Sequence, residues 1–231
     1  MCIRDSLYVG GSWGTWEKLP IIKVTPDGTP IIFSKPIVDP DGVAVDSQGN
    51  VFVAGDHKIT KVTLDGTTTT LLKGFENLNV IVIDNEGIYS LDTIFVREND
   101  GEVLKVTMDG VVTSLGNFGR GAGGGMALDA DGNLLVAADG RILKVELATG
   151  VITTFIELHG NRATRMVFNA SGNLFVTDSG KGQILRIKPD GTIIVFADGL
   201  NRPVGLAFNK KGDLFVVEAA KSRIIKISKC K

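Results

Sequence analysis

The stretch GQILRIKPDGTIIVFADG, residues 182–199, holds two short apolar strands joined by a Pro-Asp-Gly turn. Asp-Gly between apolar segments is a strong signal for a tight β-hairpin. The stretch RIIKISKCK, residues 223–231, repeats the first of these strands and then stops. The chain is therefore predicted to contain a repeating strand unit whose last copy lacks one strand.

A column of basic residues runs through the whole chain. In six copies the apolar strand carries one Lys or Arg near its centre: Lys23, Lys61, Lys105, Lys144, Arg186 and Lys226. The intervals are 38, 44, 39, 42 and 40 residues. A period near forty residues is typical of the four-stranded blades of β-propellers.

A second column lies upstream in five copies, where an apolar strand is followed by Asp or Asn, by Gly three residues later, and by another strand. Its members are Asp46, Asp84, Asp129, Asn169 and Asn209. Such a side chain can accept the backbone N–H two residues on, and the Gly supplies the left-handed conformation that closes a hairpin. Each copy therefore predicts four short antiparallel strands and no helix.

These patterns predict an all-β chain that forms one six-bladed β-propeller of four-stranded antiparallel blades. Strands such as LFVV are apolar on both faces, so each sheet must stack on its neighbours. A closed ring is favoured over a linear stack, since no copy carries the polar face of a capping repeat. The blades are predicted at about 7–36, 37–75, 76–119, 120–160, 161–200 and 201–231, in a single domain spanning 7–231.

Two strands are predicted to be missing where the first and last copies meet. The last copy ends after its third strand, and the first copy begins at its second, LYVGG. Residues 1–6, MCIRDS, resemble none of the repeats and are predicted to be a non-native leader. Strand and loop lengths predict an N-terminal truncation of roughly 20 residues or more. The alternative is a protein that tolerates an incomplete blade.

Composition argues against several classes of function. The formal net charge is −1, so no basic surplus indicates nucleic acid as a partner. The longest apolar runs, such as VIVI at 80–83, are too short to span a membrane. Cys2 and Cys230 form neither a metal motif nor a disulfide framework. The compartment stays undetermined, because a truncated N-terminus could have carried an export signal.

Two stretches carry a resemblance to known families: RPVGLAFNKKGDLFVVEAAKSRIIKI at 202–227 and GVAVDSQGNVFVAGDHKITKV at 42–62. They resemble the NHL repeat and are similar to blades of the senescence marker protein and gluconolactonase family. The resemblance covers residues 7–229 and implies a six-bladed propeller. Propellers of this kind include lactonases, lyases and non-catalytic binding modules, so the fold alone does not choose the activity.

The resemblance also implies a site over the central channel, at the loops that enter the inner strands. In gluconolactonase-like enzymes the residue just before each inner strand supplies an oxygen ligand to one divalent cation. Here that column reads Asp41, Asn79, Gly124, Thr164 and Val204, and only the first two match. Alternatively, Asp41 belongs to the turn DPDG and Asn79 caps a strand.

Three arginines, Arg120, Arg162 and Arg202, lie in loops that lead into three consecutive inner strands. Together they would form a cationic rim for a carboxylate, sulfate or phosphate group. The alternative is that they bridge neighbouring blades or lie in solvent. Trp13 and Trp16 share a Gly-rich loop on the same predicted face, where they could stack on a ligand or fill the irregular closure.

Two further features concern the loops. The segment at 92–102 is longer than its counterparts and is predicted to expose Ile94 and Phe95. Asp92, Asp178 and Glu218 share the predicted end of the second strand, where a recurring acid is expected to satisfy loop amides or nearby bases.

The leading hypothesis is a non-catalytic NHL-type propeller that binds a small anionic molecule or a protein at the loop face and requires no cofactor. The alternative is a divalent-metal-dependent lactonase or hydrolase resembling gluconolactonase, with calcium or a similar cation held by Asp41 and Asn79. A streptogramin-lyase-like enzyme is less favoured, because His57 and His159 lie in no recognisable catalytic motif.

Overall fold

The computed structural model describes residues 2–3, 6–11, 18–119, 124–160 and 162–228. These residues form antiparallel β-sheets and one short 3₁₀ turn at Ala219–Lys221. They fall into two compact units, residues 1–117 and 118–231. Within the described residues, no helix is long and apolar enough to cross a membrane.

The first unit carries three four-stranded sheets. Its strands are β1 (Cys2–Ile3), β2 (Ser6–Val9), β3 (Lys18–Leu19), β4 (Ile22–Val24), β5 (Pro30–Ile32), β6 (Ile37–Val38), β7 (Gly42–Val45), β8 (Val51–Gly55), β9 (Lys58–Val62), β10 (Thr68–Lys73), β11 (Leu78–Ile83), β12 (Ile94–Glu98), β13 (Glu102–Val106) and β14 (Val112–Asn117). The sheet orders are β1-β2-β4-β5, β10-β9-β8-β7 and β11-β12-β13-β14, with β3 and β6 forming a separate short pair.

The second unit carries the other three sheets. Its strands are β15 (Met126–Leu128), β16 (Leu134–Ala138), β17 (Arg141–Val145), β18 (Ile152–Glu157), β19 (Arg165–Phe168), β20 (Leu174–Asp178), β21 (Gln183–Ile187), β22 (Ile193–Ala197), β23 (Pro203–Phe208), β24 (Leu214–Glu218) and β25 (Arg223–Ile227). The sheet orders are β15-β16-β17-β18, β19-β20-β21-β22 and β23-β24-β25. Six sheets from six successive repeats confirm the predicted all-β, six-bladed propeller fold.

Apolar side chains fill the space between consecutive sheets within each unit. Phe52 and Ile94 belong to one buried cluster that joins the second and third sheets. Leu135 and Val176 belong to another, between the fourth and fifth sheets. The strands are therefore covered on both faces, which is why they read as continuous apolar runs rather than as an alternating pattern.

The predicted hairpins form as expected from their Asp, Asn and Gly residues. Asp46 accepts the backbone N–H of Gln48 at 3.0 Å and of Asn50 at 2.7 Å. Asn169 does the same two and four residues on, at 3.0 Å each. Gly49 lies in the left-handed region with φ of 93°, so the turn needs a residue without a Cβ there.

The first sheet differs from the prediction, which left it without an inner strand. Cys2 pairs with Leu7 and Ile3 with Ser6, so a two-residue β1 fills that position. Without β1, this edge of β2 would present unpaired backbone N–H and C=O groups. The preceding residues Cys2–Ile3 pair with those groups. Among the described residues the last sheet has three strands, as the sequence predicted.

The third sheet corrects the interpretation of the long loop. Ile94 and Phe95 are fully buried in β12, the second strand of that sheet, so the prediction that they are exposed is wrong. The extra residues lie earlier, between β11 and β12. There Asp84 accepts the backbone N–H groups of Tyr89 and Ser90 at 2.7 and 2.8 Å instead of closing a short turn.

Candidate functional site

The structure describes four of the seven predicted site residues. Asp41 and Asn79 lie in the first unit, and Arg162 and Arg202 lie in the second. The others, Trp13, Trp16 and Arg120, lie outside the described residues.

A buried carboxylate recurs at the end of the second strand in three sheets, as Glu98, Asp178 and Glu218. Each accepts the backbone N–H of a residue in the loop that enters the inner strand of the same sheet, at 2.7–3.1 Å. The prediction that this acid satisfies loop amides is confirmed for Asp178 and Glu218. The third member is Glu98 rather than Asp92, which instead accepts hydrogen bonds from the backbone N–H and hydroxyl of Ser47.

Asp178 holds two loops together at one end of the fifth sheet. Its Oδ2 accepts the N–H of Arg162 at 3.1 Å, in the loop before β19. Its Oδ1 accepts the N–H groups of Gly180 at 3.1 Å and Lys181 at 3.0 Å, in the turn after β20. Because Asp178 is buried, these bonds fix the backbone from which Arg162 and Lys181 project.

Glu218 has the same role in the sixth sheet. Its Oε1 accepts the N–H of Asn201 at 2.7 Å, and its Oε2 forms an ion pair with Arg223. The next residue, Ala219, donates its N–H to the carbonyl of Arg202 at 3.0 Å. Arg202 has a left-handed φ of 53° and an exposed side chain. The loop before β23 is thus attached to the end of β24.

The loops that carry Arg162 and Arg202 are neighbours. The inner strands that they enter, β19 and β23, pack against each other within the second unit. Between the loops lies the 179–182 turn, whose Gly182 carbonyl accepts the N–H of Leu200 at 2.9 Å. A Cβ on Gly182 would lie 2.3 Å from the Leu200 carbonyl oxygen, so only glycine permits this approach. We call these segments, residues 162–164, 179–182 and 198–202, the basic loop cluster.

Hydroxyl groups also lie within the basic loop cluster. The Thr164 and Ser179 hydroxyl oxygens are 2.9 Å apart, and both residues are half-buried. The same cluster carries three exposed cationic residues, Arg162, Lys181 and Arg202. The cluster therefore combines guanidinium, ammonium and hydroxyl donors, which is the chemistry of an anion site.

Asp41 and Asn79 lie on neighbouring inner segments of the first unit, since β11 packs against β7. Asp41 directly precedes β7 and donates its N–H to the Ala54 carbonyl at 3.1 Å. Asn79 lies at a bulge within β11 and donates its side-chain N–H to Asn99 Oδ1 at 2.6 Å. The structure thus places Asn79 inside the strand rather than before it.

These residues do not fit a divalent cation as a gluconolactonase-like site would require. In the same column, the Thr164 hydroxyl is engaged with Ser179, and Val204 offers no side-chain oxygen. Hard cations need several convergent oxygens. Among the residues that the structure describes, no three His, Cys, Asp or Glu side chains are arranged to hold a metal ion.

The two histidines are turn residues. His57 has a φ of 59°, and its Nδ1 lies 3.0 Å from the Phe75 carbonyl oxygen. His159 has a φ of 47° and is exposed. They belong to different units, and each occupies the left-handed position that closes a loop.

The recurring carboxylates differ in their electrostatics. The N–H of Asn201 and the guanidinium of Arg223 lower the pKa of Glu218 to about 2. Burial raises the pKa of Glu98, and the nearby carboxylates of Asp100, Glu76 and Glu102 raise it further. The end of the second strand therefore favours a charged carboxylate in the sixth sheet, at Glu218, and disfavours one in the third sheet, at Glu98.

We expect opposite pH dependences when each of these acids is replaced by glutamine. The Glu218 carboxylate stabilises the fold above pH 4.5, and this contribution is lost as the pH falls toward about 2. Ionisation of Glu98 instead costs stability as the pH rises above 4.5. Urea unfolding between pH 3 and 7 should show that Glu218→Gln loses more stability relative to the wild type at pH 7 than at pH 3. Glu98→Gln should lose least at pH 7. Parallel pH curves for the two variants would contradict this expectation.

Sequence reasoning missed three members of these clusters: Glu98, Lys181 and Ser179. Aligning IFVRE with LFVTD and LFVVE would have found Glu98. No local signal marks Lys181 or Ser179, because their importance depends on a loop about 20 residues away.

No protein-family model and no curated protein sequence matches the chain. Among solved structures, it is similar to a streptogramin B lyase with a TM-score of 0.67 and 22% identity, over 90% of this chain and 71% of that one. A gluconolactonase from Xanthomonas campestris gives a TM-score of 0.74 and 14% identity, over 86% and 75%. An auxiliary nutrient binding protein from Bacteroides ovatus gives 0.76 and 13%, over 98% and 67%. At these identities the likeness establishes the propeller fold alone.

Proposed function

We propose that this chain is a binding module of the NHL-repeat type that takes a small anionic ligand at the basic loop cluster. The observation that carries the proposal is a separation of charge between buried and exposed groups. Asp178 and Glu218 are buried and engaged with donors of the protein itself, whereas Arg162, Lys181 and Arg202 project to the surface. An approaching ligand therefore meets three exposed cations and one exposed acid, Asp198, with Asp178 and Glu218 withdrawn beneath them.

The donors of the cluster indicate the chemistry of the ligand. The Arg162 guanidinium makes no hydrogen bond or ion pair within the described residues, and its N–H is held by Asp178. Because the backbone of Arg162 is fixed, its planar guanidinium is suited to bidentate binding of a carboxylate, sulfate or phosphate group. The neighbouring Thr164 and Ser179 hydroxyls favour a ligand that also carries hydroxyl groups.

The solved structures with this fold include binding proteins as well as enzymes. The nutrient binding protein from Bacteroides ovatus supports a ligand-binding role without deciding the ligand. A virginiamycin B lyase from Staphylococcus aureus is inactive when one histidine becomes alanine. In this chain His57 and His159 lie in turns, and no recognisable catalytic motif surrounds either of them.

Anion binding is tested by thermal melts in which chloride is exchanged for inorganic phosphate or sulfate at constant ionic strength. These salts stabilise many proteins without binding a site, so the comparison must be between variants. We expect the wild-type increase in Tm to exceed that of Arg162→Gln/Arg202→Gln. A site occupied at a hundred times its Kd would add about 2.7 kcal/mol.

The matched control is Lys210→Gln/Lys211→Gln, which removes the same charge from exposed residues in the turn between β23 and β24. It should keep the wild-type response to phosphate and sulfate. Equal responses in all three proteins would overturn the anion site. A melt in EDTA followed by calcium, manganese or zinc tests the metal-dependent alternative, and a shift lost in Asp41→Ala would favour a lactonase.

A further inference from the structure

The loop between β11 and β12 is longer than its counterparts and exposes apolar side chains. The equivalent turns at 46–50, 129–133, 169–173 and 209–213 each close a short hairpin, whereas this loop runs from 84 to 93. Ile88 is 43% exposed and Leu91 is 59% exposed. An ordinary hairpin turn at this position would carry neither side chain.

The backbone that carries Ile88 and Leu91 is fixed by Asp84. The buried Asp84 carboxylate accepts the N–H of Ile88 at 3.0 Å and that of Ser90 at 2.8 Å. The Asp84 carbonyl accepts the N–H of Asp92 at 2.7 Å. Both neighbours of Leu91 are thus held in place, so this side chain is preorganised and little conformational freedom is lost when it binds.

Two further contacts attach the loop to the second and third sheets. Lys105, half-buried in β13, donates to the Tyr89 hydroxyl at 3.3 Å. Ser47, in the turn after β7, donates its N–H and its hydroxyl to the Asp92 carboxylate at 2.8 Å each. Both sheets carry four strands. The loop therefore keeps its shape through its own hydrogen bonds and does not depend on a covering segment.

A third exposed apolar side chain, Leu64, lies near this loop. Leu64 is 60% exposed and belongs to the turn between β9 and β10. Its Cδ2 would lie 3.3 Å from a Cβ on Gly49, so Leu64 packs against the turn after β7. That turn also carries Ser47, which is bonded to the residue after Leu91. Leu64 and Leu91 are therefore linked through one turn.

Acidic residues border these apolar side chains. Four turns lie at this end of the second and third sheets: 46–50, 63–67, 84–93 and 107–111. They contain no Lys or Arg and carry the acids Asp46, Asp65, Asp84, Glu86, Asp92 and Asp109. Asp65, Glu86 and Asp109 are exposed. We define the acid-rimmed patch as Leu64, Ile88 and Leu91 together with Asp65, Glu86 and Asp109.

We propose that the acid-rimmed patch is an interaction surface for a basic, apolar polypeptide segment of a partner protein. Apolar side chains of the partner would cover the leucines and Ile88, and its Lys or Arg residues would lie beside the acids. A structural segment of the same chain is disfavoured, because the loop is held by Asp84 and Ser47 and both sheets carry four strands. The patch shares no residue with the basic loop cluster, so the two proposals are independent.

Charge disfavours two other occupants of the acid-rimmed patch. Two copies of this chain that met patch to patch would bring the same acids together, and juxtaposed like charges are costly. An anionic lipid surface attracts basic segments and would repel these acids. A cationic polypeptide segment avoids both costs.

The test uses two labelled amphipathic peptides of equal length, one of leucine and lysine and one of leucine and glutamate. Fluorescence anisotropy should show saturable binding of the leucine–lysine peptide to the wild type and no binding of the other. Ile88→Ser/Leu91→Ser should bind roughly tenfold or more weakly, because it has less apolar surface to bury. Asp65→Asn/Glu86→Gln should bind roughly threefold more weakly and with a smaller dependence on salt.

Matched controls come from the second unit. Val151→Ser/Ile152→Ser removes two exposed apolar side chains, and Asp131→Asn/Asp190→Asn removes two exposed turn acids. Both should bind the leucine–lysine peptide as the wild type does. A cooperative thermal melt first establishes that each variant folds.

Several outcomes would overturn the proposal. These are wild-type affinity in Ile88→Ser/Leu91→Ser, an equal loss in the matched control, and no binding of the leucine–lysine peptide to the wild type. Self-association of the wild type that is lost in Ile88→Ser/Leu91→Ser would overturn it, because the patch would then serve a second copy. Binding to phosphatidylcholine vesicles that the same variant loses would assign the patch to a membrane instead.

Discussion

Replacing Asp178 with alanine is expected to lower the free energy of unfolding by about 4 kcal/mol. The substitution leaves three backbone N–H donors, those of Arg162, Gly180 and Lys181, without their acceptor. A donor left unsatisfied costs about 1–3 kcal/mol, and water can offset part of this cost because the three residues themselves are exposed. Urea denaturation at pH 7, with the slope m compared between proteins, measures this loss.

Asp198→Ala is the matched control, because Asp198 is exposed and, within the described part of the chain, accepts the N–H of Gly199 alone. It should change stability by less than about 0.5 kcal/mol. Asp178→Asn should lie between the two, since the amide oxygen can still accept hydrogen bonds. A loss below about 1 kcal/mol in Asp178→Ala would show that Asp178 does not organise the basic loop cluster.

The second large effect is expected for Gly55→Ala, with a loss of about 3 kcal/mol or more. A Cβ on Gly55 would lie 1.8 Å from the carbonyl oxygen of Asp39, which is backbone and cannot rotate away. The loop before β7 would have to move, and Asp41 lies in that loop. A thermal melt and a urea titration should show either a large loss of stability or failure to fold.

Ala138 supplies the internal comparison, because it holds the equivalent position at the end of β16. Alanine is therefore compatible with the strand itself, and the penalty at Gly55 arises from the loop that crosses it. Ala138→Gly should cost about 1 kcal/mol, the ordinary effect of glycine in a strand. Similar small losses for both substitutions would contradict the clash.

The hairpins could be predicted from the sequence because their interactions are local. Asp46 and Asn169 accept N–H groups two and four residues on, so the pattern contains both partners of each bond. The same reasoning failed between 84 and 93, where Asp84 accepts N–H groups up to six residues on. That longer turn displaced the predicted second strand, and with it the assignment of Ile94, Phe95 and the recurring acid.

The candidate site was predictable only in part. The arginine positions follow from the repeat, since Arg162 and Arg202 precede consecutive inner strands. The sequence could not show that Asp178 and Glu218 bind the loops that carry these arginines. Those carboxylates lie 16 and 17 residues from the loop amides that they accept.

By itself, the sequence determined the repeat period, the strand order and the turns of this protein. These depend on backbone preferences and hydrogen bonds within a few residues, which local patterns encode. Only the tertiary structure decided which acids are buried and which cationic residues are exposed. Burial and charge exposure depend on the packing of strands and loops distant in sequence, so no local pattern contains them.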